Sequence, residues 1–176
     1  QTLERVGAAV SGLTKLGAGT LTLAGPCQYV GETTVSAGTL ALASATASTG
    51  LTVAEGATFS LANGAFNTVS FATVQLASGA RLELEAAAES ATCDRLVLPA
   101  GASVGTLVIA LYNVGTRTPV TRPDTYPLVA YTGTPPDVSG WALSAEAYGV
   151  TCTFVTNVAN QTIDAQLAYT DKQVEW

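Results

Sequence analysis

Residues 17–25 read GAGTLTLAG, and nineteen residues later residues 36–44 read SAGTLALAS. A reactive loop is needed once in a chain, whereas a unit that stacks on copies of itself is needed many times. The same rhythm runs on. An apolar residue, two small or polar residues and a glycine recur at 16–19, 35–38, 53–56, 76–79 and 98–101, so the glycines Gly19, Gly38, Gly56, Gly79 and Gly101 are spaced by 19, 18, 23 and 22 residues. Soon after each glycine comes an alternating apolar pair: Leu21 and Leu23, Leu40 and Leu42, Phe59 and Leu61, Leu82 and Leu84, Leu107 and Ile109. Residues at i and i+2 share one face of a strand, so each unit reads as strand, glycine turn, strand with one buried face.

A two-strand unit of this size cannot bury its apolar face alone, but it can when the next unit lies on top of it. The expected fold is therefore all-β: a short right-handed parallel β-solenoid with a C-terminal antiparallel β cap. Right-handedness follows from the general preference of parallel crossovers. The ten paired apolar residues are the expected solenoid core, stacked at the ordinary strand spacing of ~4.8 Å. The five glycines are the expected turn residues, because without a Cβ they take positive φ at no steric cost. An antiparallel two-sheet sandwich is the alternative, since it too has alternating strands and regular turns.

Composition bounds the partners. The chain has 176 residues, 48% hydrophobic and 11% charged, which suits one domain with a real core. Its longest apolar stretches, such as Leu107 to Tyr112, end within about six residues, far below the ~20 that a membrane-spanning helix needs. The net charge is −6, and the five arginines and two lysines are scattered, so no basic patch offers itself to nucleic acid. No basic start followed by an apolar block opens the chain, which implies a removed signal peptide or a fragment of something longer.

Residues 12–42 resemble the autotransporter-associated β-strand repeat, also called the passenger-associated transport repeat. The residues that carry the likeness are Gly17, Gly19, Thr20, Leu21 and Leu23, then Gly25 and Tyr29, then Gly31, Thr33, Val35, Gly38, Thr39 and Leu40. Cys27 stands where that pattern usually has Asn. The later coils keep the rhythm without the wording. The resemblance implies a β-helical stalk in a secreted or bacterial cell-surface protein, a structural role with no catalytic residues to carry over.

After Leu111 the rhythm stops. Five of the seven prolines fall between residues 113 and 141, a turn-rich excursion around one strand, Leu128 to Tyr131. Residues 150–155 and 162–169 then alternate on either side of a polar turn and read as a β-hairpin. An open solenoid end exposes core and strand edges, so terminal units usually differ. The expected division is thus 1–112 for the coils and 113–176 for the cap. Residues 1–10 are short enough for one partial coil, which leaves that end free for end-to-end self-association or for a larger parent array. Trp141, Trp176, Tyr112, Tyr131, Tyr148 and Tyr169 cluster in the last third, either as cap core or as a platform for a surface glycan.

Candidates for chemistry are few. There is no histidine, which removes Ser-His-Asp and Cys-His sets and His-ligated zinc. Glu83 and Glu85 flank Leu84 and face the same way, ~6.8 Å apart by strand rise, a spacing open to glycosidase chemistry. With Arg81 beside them they read instead as a solvated stripe. The aspartates Asp94, Asp124, Asp137, Asp164 and Asp171 are too dispersed for a calcium cluster, and Gly17-Ala18-Gly19 lacks the rest of a phosphate loop. Asn160-Gln161-Thr162 matches a glycosylation sequon by chance. No catalytic, metal or cofactor site is expected. Three cysteines leave an odd thiol: Cys27 and Cys93, three coils or ~14 Å apart, exceed the ~4.4–6.8 Å reach of a disulfide. Cys152 could meet Cys93 if the hairpin folds back, leaving Cys27 buried, free or bonded to a second subunit. Non-reducing electrophoresis that shows only monomer excludes the intermolecular bond.

The reading is of a non-enzymatic extracellular structural protein, a stalk or surface element that self-assembles or extends a larger array. The alternatives are an adhesin holding glycan on the aromatic C-terminal third, or a polysaccharide-active enzyme.

Overall fold

A computed structural model describes residues 11–25, 29–43, 48–87, 89–144 and 149–170. Within these the chain is all strand and turn. In order come β1 (Leu13–Lys15), β2 (Thr20–Leu23), β3 (Thr33–Val35), β4 (Thr39–Leu42), β5 (Gly50–Val53), β6 (Thr58–Ser60), β7 (Thr68–Ser70) and β8 (Thr73–Leu76). Then follow β9 (Ala80–Ala86), β10 (Arg95–Leu98), β11 (Ser103–Val104), β12 (Leu107–Asn113), β13 (Thr125–Tyr131), β14 (Ala142–Leu143), β15 (Val150–Asn157) and β16 (Thr162–Tyr169).

Each strand pairs with its counterpart one turn along the chain. The first sheet runs β1-β3-β5-β8-β11, the second β2-β4-β6-β9-β12-β14 and the third β7-β10-β13-β16-β15. All pairings within the first two sheets are parallel, as are β7 with β10 and β10 with β13. The expected parallel β-solenoid is the observed fold, and the antiparallel sandwich is not.

The register shows why. Leu21 lies opposite Leu40, Leu40 opposite Phe59, Phe59 opposite Leu82, Leu82 opposite Ile109 and Ile109 opposite Leu143. This single row threads the interior. Its middle members Leu40, Phe59, Leu82 and Ile109 are buried, while Leu21 and Leu143, the first and last members among the described residues, are half-buried. A second row joins Leu23 to Leu42 and Leu84 to Leu111, with Leu61 buried between them. In the last coil the row positions are thus Ile109 and Leu111, and Leu107, though buried, stands opposite Ala80. A shift of two residues keeps every side chain on its face, which is why both readings satisfy the alternation.

The third side has its own row, Val69, Leu96, Val129 and Ile163, all buried. The change of rhythm at residue 113 does not coincide with a change of pairing. Although proline-flanked, β13 is parallel to β10 and β14 is parallel to β12, so stacking runs on beyond residue 112. Apart from two isolated bridges, Ala86 with Cys93 and Tyr112 with Pro119, antiparallel pairing among the strands begins where β16 joins β13 and β15 joins β16, which forms the expected terminal hairpin. Val150, Cys152 and Phe154 turn inward from it, and Phe154 meets Trp141 edge-on at 5.7 Å between ring centroids. The proposed partial coil at residues 1–10 and the Ala-rich stretch at 44–47 lie outside the described residues.

Four of the expected turn glycines, Gly38, Gly56, Gly79 and Gly101, have positive φ. In the first coil that role falls to Gly17 (φ 74°) rather than Gly19, because this turn holds one more residue between its strands than the next. Gly38 is doubly constrained: with φ at 68°, a Cβ on it would sit 2.4 Å from the Gly17 carbonyl oxygen of the coil below. Gly101 also has positive φ, but a Cβ there would meet nothing within 4 Å.

A prediction follows from this contrast. Gly101→Ala costs only the left-handed conformation, about 1–2 kcal/mol. Gly38→Ala adds a clash with backbone and costs roughly 1–3 kcal/mol more, which urea unfolding midpoints of the two variants will resolve.

Candidate functional site

The densest set of charged side chains lies where β9 and the residues after it meet the turns of neighbouring coils. Glu83 and Glu85 point away from the core row on the outer face of β9, yet they do not form the solvated stripe that alternation suggested. Glu85 is 2% exposed and Glu83 9%. Residues 113–120 fold back over this face: Asn113 donates its N–H to the Thr118 carbonyl, and Val120 donates to Leu111. A strand that alternates apolar and charged is read as half-solvated, and nothing in the pattern marks a loop laid over its polar side.

Glu85 acts as a clamp across three levels. Its Oε2 accepts the backbone N–H of Asn63 (3.0 Å) and of Gly64 (2.7 Å) in one coil, and its Oε1 accepts that of Gly115 (2.8 Å) in another. Asp94, fully buried, continues the clamp: Oδ1 accepts the N–H of Asn67 and Oδ2 that of Glu85, at 2.7 and 2.8 Å. Turns leave backbone donors unpaired, and a buried donor must find an acceptor. Here the two carboxylates supply it.

Glu83 is held by cations instead. Its Oε2 lies 2.7 Å from Arg117 Nη1 and its Oε1 3.4 Å from Arg81 Nε. Arg81 also donates to the Ser144 hydroxyl (3.1 Å) and the Tyr112 hydroxyl (3.0 Å), while the Arg117 guanidinium sits 5.2 Å over the Tyr112 ring. Glycosidase action needs a carboxylic acid and a carboxylate that both reach substrate. These carboxylates are committed to backbone donors or arginines.

Burial pushes the Asp94 carboxyl up to about 6; the N–H bonds from Asn67 and Glu85 oppose the rise, and the Glu85 charge adds to it. Cys93 and Cys152 are free thiols, both half-buried. Burial raises each to about 11, so neither is a thiolate nucleophile near neutral pH. Three strand spacings, ~14 Å, separate β10 from β15, and the Cys93–Cys152 contact allowed by the sequence does not form. Cys27 lies outside the described residues.

The other expected features are placed as follows. Trp141 and Tyr131, 8% and 4% exposed, are core, while Tyr112, 5% exposed and opposite Glu85 on the outer face, is covered by Arg117, so none offers a flat sugar platform; Tyr169 alone of the described group is exposed. Tyr148 and Trp176 lie outside the described residues. The sequon threonine, Thr162, is buried with its hydroxyl on Asp164, and Gln161 between it and Asn160 has positive φ in a tight turn. Among the described residues no group of Cys, Asp and Glu converges to hold a metal, and no helix is long and apolar enough to cross a membrane.

Two polar devices were not legible beforehand. Lys15 occupies an inward position at the end of the row Val35, Val53, Leu76 and Val104, and is 6% exposed. Its Nζ donates to the carbonyls of Leu16, Gly17 and Ala37 at 2.9, 2.6 and 2.9 Å. The second is a buried hydroxyl chain: Tyr29 meets Thr33 at 2.8 Å, Thr33 donates to Ser48, and Ser48 reaches the Gly31 carbonyl. Tyr29 and Thr33 thereby fasten one coil to the next.

The carboxylate clamp has a pH signature. Asp94 titrates in the fold above its ordinary 3.8, so folding favours its protonated form. Its contribution to stability is present below the ordinary carboxylate range and is lost as pH rises through about 6. In urea titrations the advantage of the wild type over Asp94→Asn will be largest near pH 4 and will shrink toward neutrality. Glu85→Gln turns an amide N–H toward a backbone donor and lowers stability by roughly 1–3 kcal/mol.

No curated protein sequence matches the chain. Residues 13–42, which span β1 to β4 and hold Gly17, Tyr29, Thr33 and Gly38 in the contacts just described, match the family model described as passenger-associated-transport-repeat.

Proposed function

We propose that this chain is a non-enzymatic extracellular structural element, a β-helical stalk segment of a secreted or surface-displayed passenger. The observation that carries the reading is the continuity of one interior row from the matched repeat into coils that lack its wording: Leu21 and Leu40 lie within it, Phe59, Leu82 and Ile109 beyond it. A rod built this way derives its stiffness from ladders running along the axis, and its polar faces of Thr and Ser need little charge. In this reading residues 1–112 are the repeat coils and residues 113–176 the cap end, which opens with one more stacked turn, β13 and β14, before the antiparallel hairpin. The capped end does not continue the stack, and the opposite end meets either a longer parent array or another copy.

Two measurements test this. On intact cells that produce the protein, an antibody against the folded chain labels the surface, and external protease removes the signal; labelling only after lysis would overturn the placement. Purified protein viewed by electron microscopy over a concentration series distinguishes copies joined end to end, which give fibres, from a segment of a longer array, which stays monomeric.

A further inference from the structure

The outer face of the third sheet carries a groove of about 440 Å³ that the structural reading leaves without a role. Its lining mixes apolar surface, from Ala91 and Pro127 among others, with polar groups from separate parts of the chain: Arg95 on β10, Asp164 and Thr162 on β16, and Asn157 and Asn160 beside the β15–β16 turn. Register brings them together. Asp164 lies opposite Pro127 of β13, and Thr162 lies opposite Asn157 of β15.

These groups are oriented by one another. Asp164 is 6% exposed; its Oδ1 accepts the Thr162 hydroxyl at 2.6 Å and its Oδ2 the Asn157 amide at 2.9 Å. A carboxylate oxygen takes more than one donor, so each retains acceptor capacity. Arg95 donates through Nε to the Pro127 carbonyl at 3.0 Å, and its two Nη groups have no partner among the described residues. Exposed Asn160 completes the rim; its backbone N–H, not its side chain, is bound to Asn157. The groove thus presents fixed acceptors, a fixed fork of donors and a carboxamide.

The balance of charge selects the ligand class. An anion drawn to Arg95 meets the Asp164 carboxylate, and a cation drawn to Asp164 meets Arg95. Neutral groups that donate and accept at once satisfy both, and vicinal hydroxyls do so from two adjacent positions. The volume lies within the ordinary range of small-ligand sites, about 300–1,000 Å³. We infer that this groove binds a neutral saccharide, with Asp164 accepting from its hydroxyls and Arg95 and Asn160 donating to them. The site owes nothing to the aromatic residues of the last third, and it stands or falls independently of the stalk reading.

The test is an NMR titration of the isotope-labelled full chain with maltose, lactose, cellobiose and N,N′-diacetylchitobiose, each to 50 mM, and with sodium sulfate as the anion control. The expected result is saturable shifts with at least one disaccharide, confined to the amides around residues 95 and 157–164. Asn160→Ala and Arg95→Lys should each weaken that binding at least threefold while the rest of the spectrum and the thermal unfolding midpoint stay as in the wild type. Silence with all four sugars, shifts centred elsewhere, equal binding by both variants, or saturation by sulfate at lower concentration than any sugar would each overturn the assignment.

Discussion

Every inward side chain in this protein depends on the backbone ladder between one coil and the next. Parallel pairing places equivalent residues ~4.8 Å apart along the axis, a distance at which apolar side chains of successive coils touch. Leu40, Phe59, Leu82 and Ile109 are therefore buried by one another and by the inward rows of the other two sheets. Full burial of such a side chain is worth about 1.5–3 kcal/mol, and each coil gains it only when both neighbours are present. Leu21 and Leu143, the first and last members of the row among the described residues, are half-buried.

The same constraint explains the corners. A coil must return to register whatever the length of its turns, so insertions are absorbed where the chain changes direction. The first turn contains an extra residue, and the coil above accommodates it with Gly38, whose Cα approaches the carbonyls of Gly17 and Gly19 too closely for any side chain. The longer turn at 61–67 leaves the backbone donors of Asn63, Gly64 and Asn67 in the interior, and Glu85 and Asp94 accept them. Charged residues are scarce in this chain, and several of the acidic ones are used as internal fasteners. Acidic groups spent in this way are not free to transfer protons to a substrate, which agrees with a mechanical rather than a chemical role.

The terminal hairpin solves a different problem. Beyond β13 the third sheet continues with antiparallel strands, whose connection needs only a short turn instead of a full circuit. Val150, Cys152 and Phe154 pack down on the last coils, and Trp141 donates its indole N–H to the Gly105 carbonyl above β11. The last coil is thereby covered by residues that have no place in the repeat.

Much of this was written in the one-dimensional pattern. Leu21, Leu40, Phe59 and Leu82 were legible as one row because a period of two within each unit, repeated every 18 to 23 residues, favours stacked coils over a sandwich. The hairpin strands, read from the sequence as 150–155 and 162–169, were legible for the same local reason, with β15 running on to Asn157. What local pattern could not decide was which outward face would be covered. Glu83 and Glu85 alternate with leucines just as solvated residues do, and only the return of residues 113–120 over β9 buries them. The aromatic residues of the last third were open to two readings until packing placed Trp141 and Tyr131 inside and laid Arg117 over Tyr112. Arg95, Asn157 and Asp164, far apart in the chain, meet only because β10, β13, β16 and β15 lie side by side. Periodicity determines which way a side chain points relative to its own strand; what waits on that side depends on contacts between residues distant in sequence, and those exist only once the chain has folded.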